Sequence, residues 1–168
     1  MAIARKDKML AGYNGNLESV IVYDNAGTST VKITNGLFVV VEGLIAGERE
    51  TKKARLADVE DVALDVLFIH SSEVMYDERD YKLADFRIEA GKVARAYRLY
   101  DGDIVTLTSD LFADTVAVGD VLCVKADGKL GKDATAVQSA KVVFEVIENS
   151  GNELDLTMEA FAVQVTRN

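Results

Sequence analysis

Few residues in this chain have the chemistry of a nucleophile or a base: there is one histidine and one cysteine in 168 residues. Nucleophilic catalysis requires a Ser or Cys beside an activating base, usually His. His70 follows the apolar run Leu67-Phe68-Ile69 and precedes Ser71-Ser72, which is the position of a hydrogen-bonded residue closing a buried strand. Cys123 stands in Val121-Leu122-Cys123-Val124, a pattern that makes it a packed thiol rather than a thiolate. Alone, it forms no intramolecular disulfide, so the chain is not a disulfide-stapled secreted scaffold. Carboxylates gather at Asp77, Glu78 and Asp80 and again at Asp101 and Asp103, a composition that could support acid–base hydrolysis. Acids at turns are ordinary in a chain with 28 Asp and Glu, however, and nothing in the sequence separates their pKa values. Zinc lacks ligands, and Asp101, Asp103 and Asp110 offer oxygens to calcium without the spacing of an EF-hand loop. Gly43-Leu44-Ile45-Ala46-Gly47 runs into Glu48, an anion where a phosphate-binding loop requires Lys. The expectation is a protein that is no enzyme, with neither cofactor nor metal site.

Residues suited to binding a partner are easier to find. Tyr76, Tyr81 and Phe86 are the one loop-associated aromatic cluster; such rings stack on sugars or bases, or anchor a protein interface. Arg5, Lys6 and Lys8 form the single short basic run, interrupted by Asp7. With 19 Lys and Arg against 28 Asp and Glu, the formal net charge is −9, which opposes counterion-displacing contact with nucleic acid. The N-terminus carries charges but no apolar stretch of signal-peptide length, and runs such as Leu37-Phe38-Val39-Val40-Val41 are too short for a bilayer. No membrane partner is expected, and synthesis in a cytoplasm follows.

The elements that must hold these residues are β-rich. Hydrophobic residues make up 49% and charged residues 28%, a globular composition. Proline is absent, where average usage would supply about 8, so polyproline linkers and prolyl kinks are excluded. Residues 1–16 are polar and Gly/Asn-punctuated, which marks an extended N-terminal arm. Residues 17–168 then form a single β-rich domain, with a possible subdivision near 100 into 17–100 and 101–168. Asn35-Gly36 between β-branched runs signals a type I′ hairpin, as does Asp127-Gly128. Residues 56–69 suggest a short helical or turn segment leading into a strand, and residues 71–85 a long loop. Asp101-Gly102-Asp103 and Val118-Gly119-Asp120 each start a strand by the same device, Gly supplying the turn and Asp bonding to nearby backbone. Two last strands, within 142–147 and 154–159, flank Asn149-Ser150-Gly151-Asn152. Local hairpins without βαβ spacing indicate a mainly β fold, an antiparallel small barrel or sandwich with little helix.

Glu73-Val74-Met75-Tyr76-Asp77-Glu78-Arg79, then Leu83-Ala84-Asp85-Phe86, then the stretch from Ala90-Gly91-Lys92 through Tyr97-Arg98-Leu99 to Gly102-Asp103-Ile104-Val105 resembles a pattern in small virion proteins of tailed phages of Gram-positive bacteria. These look like capsid decoration, or cement, proteins. The later half, with its Gly-Asp strand starts, is similar to the small β-barrels of phage head and tail accessory proteins, and the resemblance spans about residues 73–158. It implies a structural protein on the virion surface, assembled in the host cytoplasm. The partner so implied is the major capsid protein, bound on the outer face of its lattice, often by a homo-oligomer. Other readings of the same residues are a tail-tube or head–tail joining subunit, a carbohydrate-binding β module using Tyr76, Tyr81 and Phe86, or an Asp/Glu hydrolase.

The strand around Cys123 supplies a direct test. Because access as well as thiolate character governs thiol reactivity, an alkylating reagent should leave the native protein unmodified and label Cys123 only as denaturant unfolds it, as followed by intact-mass spectrometry.

Overall fold

The computed structural model describes residues 2–8, 16–74 and 85–168, with backbone alone at positions 7 and 8. Alternation of buried and half-exposed residues builds β2 (Leu17–Tyr23), in which Val20 and Val22 turn inward. The apolar run predicted at residues 37–41 becomes β3 (Phe38–Leu44), buried in its first half and exposed in its second. With β4 (Thr51–Leu56), β5 (Val66–Ile69) and β6 (Ala94–Arg98) these strands close a five-stranded barrel in the order β2-β4-β3-β5-β6. The antiparallel expectation holds for its other pairings but not for β2 and β4, which run parallel from Ser19↔Thr51 to Tyr23↔Arg55. Parallel neighbours require an intervening crossover, and here β3 lies between them in the chain.

A second, wholly antiparallel sheet has six strands in the order β1-β7-β11-β10-β8-β9: β1 (Ala4–Lys8), β7 (Ile104–Thr108), β8 (Val121–Val124), β9 (Leu130–Lys132), β10 (Val143–Asp155) and β11 (Met158–Arg167). A one-turn helix, α1 (Ala136–Ser139), precedes β10. The fold is therefore mainly β. One cluster of buried apolar side chains draws on both sheets, from Val20, Phe38 and Phe68 in the barrel to Leu107, Phe144 and Val163 in the other sheet.

Of the segment expected to lie off the core as an arm, the described residues 4–8 are extended and join the sheet. Residues 4–8 pair with β7 from Ala4↔Leu107 to Lys8↔Ile104, and Ile3 and Ala4 are buried. Charges on an edge strand face water and protect the edge, so the composition of this segment hides its strand.

Both Gly-Asp strand starts form as anticipated, and they form identically. Gly102 and Gly119 take φ of +89° and +90°. The Asp103 carboxylate accepts the Tyr100 N–H at 2.9 Å, and that of Asp120 accepts the Ala117 N–H at 2.8 Å. Gly102 then donates to the Val165 carbonyl and Gly119 to that of Val146, each at 2.8 Å, so the two turns clamp β11 and β10 at matching places. Asp127-Gly128 also behaves as its sequence demands: both residues have positive φ, +59° and +67°, between β8 and β9.

Two turn readings are corrected. Asn35 does not adopt positive φ, and Gly36 alone does, at +91°, so this is no type I′ hairpin. Ile33 instead bridges Ile88, while the Asn35 amide is buried, donating to the Ser71 carbonyl and the Glu73 carboxylate, each at 2.9 Å. The second correction concerns the final hairpin. β10 runs straight through residues 149–152 and turns only at Leu156-Thr157, where Asp155 pairs Met158. The Asn/Gly cluster marks a bulge, with a register shift between Asn149 and Gly151. Gly with positive φ serves bulges as well as turns, and local sequence does not separate the two. Residues 56–69 resolve as expected, into a 3₁₀ turn (Val59–Asp61) followed by β5.

Gly128 is hemmed in by backbone rather than by a movable side chain. A Cβ there would overlap the Phe38 carbonyl oxygen and sit 3.1 Å from the Phe38 nitrogen, whereas a Cβ on Gly102 would meet nothing within 4 Å. Gly128→Ala should therefore cost about 3 kcal/mol or more, and Gly102→Ala, which strains only its φ, about 1–2 kcal/mol. Urea midpoints of the two variants check both the size and the order.

Candidate interaction surface

Arg5 is exposed on β1 and lies 3.6 Å from the Glu153 carboxylate. Lys6 turns to the barrel, donating to the Tyr97 hydroxyl at 3.2 Å with its ammonium 4.5 Å from the ring centroid. Both cations are thus engaged at home, and at exposed sites such pairs contribute at most about 1 kcal/mol each. Lys8 ends β1, its backbone opposite Ile104; its side chain lies outside the described residues. Phe86 packs half-buried against the main core, so its ring pins the return of the loop to the barrel rather than standing free. Tyr76 and Tyr81 lie outside the described residues, as do Asp77, Glu78 and Asp80.

Of the residues considered for catalysis, two are seen to hold backbone. Asp103 is buried and holds its turn. His70, just beyond β5, packs its ring 6.1 Å from that of Phe68 and is hydrogen-bonded to the Ala4 backbone, tying the barrel to β1. Burial pushes the imidazole below its ordinary pKa, Lys6 adds to the depression, and Glu73 and the Ala4 bond oppose it. Among the described residues no three His, Cys, Asp or Glu gather as a metal site.

The most buried charged contact is also architectural. Asp61 accepts both guanidinium nitrogens of Arg55, at 2.5 and 2.6 Å, and the Asp58 N–H at 2.9 Å. That places Asp61 as the closing member of a capping box on the 3₁₀ turn at Val59–Asp61. The Arg55 bond is the main reason its carboxyl lies below the usual range. Asp133, ahead of α1, accepts the Ala136 N–H at 2.9 Å and the Lys125 ammonium at 2.8 Å; those bonds bring its pKa down to about 2.

What the sequence reading missed is an aliphatic patch on the solvent face of the six-stranded sheet. Val121 stands opposite Glu145, Ile147 lies two residues further along β10, and Val118 sits on the turn whose Gly119 is bound to Val146. These three are 44%, 38% and 59% exposed. Their signal was present: in Phe144-Glu145-Val146-Ile147, the alternation that buries Phe144 and Val146 turns Ile147 out with Glu145. The apolar run itself obscured it. Acidic Glu145 and the Asp120–Lys132 ion pair, at 3.3 Å, border the patch, an apolar centre with a polar rim as in protein interfaces. The hairpin tip adds Leu156, 90% exposed, held by Asn152 donating to its carbonyl at 2.9 Å.

Elsewhere a cleft of about 500 Å³ opens where the sheets meet, floored by Leu37, Leu56 and Phe112 and edged by Arg87, Lys129 and Asp127. Both charge signs occur along its edge, so it selects neither anions nor cations by field alone.

No family model matches this chain, and no curated protein or solved structure matches it.

The titrating groups define an acid profile in two steps. His70 is depressed in the fold, so the unfolded chain takes up protons first, and stability falls as pH drops below the ordinary imidazole value of 6.5. Asp133 and Asp61 are depressed carboxyls whose contribution is complete above their ordinary 3.8; that of Asp133 disappears as pH falls through about 2. Urea midpoints measured from pH 8 to pH 2 should show both steps, and His70→Gln should remove only the first.

Proposed function

We propose that this chain is a structural virion protein that binds the outer face of a major capsid protein lattice and stabilises the head. The observation that carries the reading is the exposed Val118, Val121 and Ile147 patch, displayed on a sheet whose other face is anchored in the shared core. A decoration protein requires a rigid body and a preformed apolar contact, and it performs no chemistry. Pre-ordering matters because fixing backbone on binding costs roughly 1–2 kcal/mol per residue. A patch built on paired strands avoids that cost. The net charge of −9 keeps such a protein from competing for packaged nucleic acid. The resemblance of residues 73–158 to phage decoration proteins points the same way, and the patch lies within that span.

Mass spectrometry of purified phage particles should find the chain as a stoichiometric component. With Val121→Asp and Ile147→Asp combined, occupancy of purified heads should fall at least tenfold while the thermal midpoint of the free protein stays within about 2 °C, since surface substitutions away from buried features usually cost less than about 0.5 kcal/mol. Absence from particles, or undiminished binding by the double variant, overturns the reading.

A further inference from the structure

We propose that the outer edge of β7 is a strand-exchange site that accepts β1 from a second copy of this chain. Five strands of the six-stranded sheet come from residues 104–167, and β1 alone reaches it from the other side of the barrel. The contacts of β1 span large stretches of sequence: Ile3 donates its N–H to the Thr108 hydroxyl 105 residues away, and Lys6 meets Tyr97 91 residues away. The Ala4 backbone meets His70, and Arg5 pairs with Glu153. β1 pairs with β7 and with no other strand. The groups that receive β1, from Gly36 beside Ala4 to Glu153 beside Arg5, all lie after it in the chain, and every one of these contacts is reproduced unchanged if a neighbouring copy supplies the strand.

The main core holds β1 only at its start, through Ala4 and the preceding Ala2. Ile3 packs with Met158 and Leu154 in a small cluster separate from the main core. Ala4 is the one β1 residue in the main cluster. The barrel is closed without β1, and the far edge of the sheet is already covered, Ala113 donating to the Leu130 carbonyl at 2.7 Å and Lys132 to the Asp114 carboxylate at 2.9 Å. The β7 edge is thus the place where this sheet takes an added strand. In sequence, residues 9–15 connect β1 to β2 and include Gly12 and Gly15; seven residues reach about 25 Å at most.

Which copy fills the site is a matter of concentration, because the closed interface is the same in both cases. A short tether gives β1 an effective concentration of order mM at its own β7, so exchange grows as the protein approaches that range. On a capsid lattice, in the decoration reading, copies stand at comparable density. The solution test does not depend on that reading.

Ala4 and Leu107 are partners in register, which permits a test in which no chain can cross-link to itself. With Cys123→Ala as background, one chain carries Ala4→Cys and a second, longer by a tag, carries Leu107→Cys. The two are unfolded, mixed, refolded at about 1 mM and oxidised. A disulfide between Cys at 4 of one chain and Cys at 107 of the other should dominate over both homodimers and should decline at least tenfold on refolding at about 10 μM. Lys8→Cys with Ile104→Cys, also partners in register, repeats the test away from the core. The single chain carrying both Ala4→Cys and Leu107→Cys is the control for pairing itself. Homodimers in statistical proportion, no heterodimer from either pair, or a control that fails to close on itself each overturn the proposal.

Discussion

Phe38 is the point on which the two sheets depend. Fully buried at the start of β3, it meets Phe68 of the barrel with ring centroids 5.6 Å apart and Phe144 of the second sheet at 5.1 Å, the latter edge-on. Its carbonyl accepts the Ala57 N–H at 3.0 Å, and Gly128, on the β8–β9 turn, comes so close to the same backbone that no side chain fits between. One residue therefore ties a barrel strand, the loop after β4 and a turn of the opposite sheet into a single contact. Edge-on aromatic pairs add about 0.5–1.5 kcal/mol beyond the area they bury, and the surrounding close packing makes the position intolerant of any change in volume.

Much else follows from burying one face of each sheet against the other. The inner faces hold the apolar residues, and buried polar side chains among them are paired: Asn35 to the Ser71 backbone, Asp103 to the Tyr100 backbone, and Asp61 to the Arg55 guanidinium and the Asp58 backbone. These groups have the composition of catalytic residues and none of their freedom. Buried carboxylates and amides left unpaired are expensive, so in this chain the polar interior is turn chemistry. On the outer face Val118, Val121 and Ile147 stay partly in water, which is why the proposed contact is placed there.

The same economy governs the edges. β9 is covered by the segment following Phe112, the barrel has no edge, and β1 presents a strand rich in Lys and Arg. Covering, closure and charge are three of the ways in which β proteins avoid unplanned association. The β7 edge differs in that the strand covering it, β1, comes from the far end of the chain and is held in part by the small Ile3–Met158–Leu154 cluster.

By itself the sequence determined the mainly β class and every feature enforced within a few residues. The Gly-Asp strand starts, the Asp127-Gly128 turn, the burial of Cys123 and the segment leading into β5 were all legible, because φ > 0 at glycine, a carboxylate three residues from its N–H and a short apolar run are local facts. The tertiary structure decided what rests on distant partners. Asn35-Gly36 has the same composition as a hairpin turn, but Asn35 is claimed by Ser71 and Glu73. Asn149-Ser150-Gly151 became a bulge because β11 continues alongside it, and residues 4–8 became a strand because β7, a hundred residues on, offers an edge. The outward patch belongs to the same class: an apolar run shows that its residues favour a strand, and only the packing of the opposite face shows which of them is left in water.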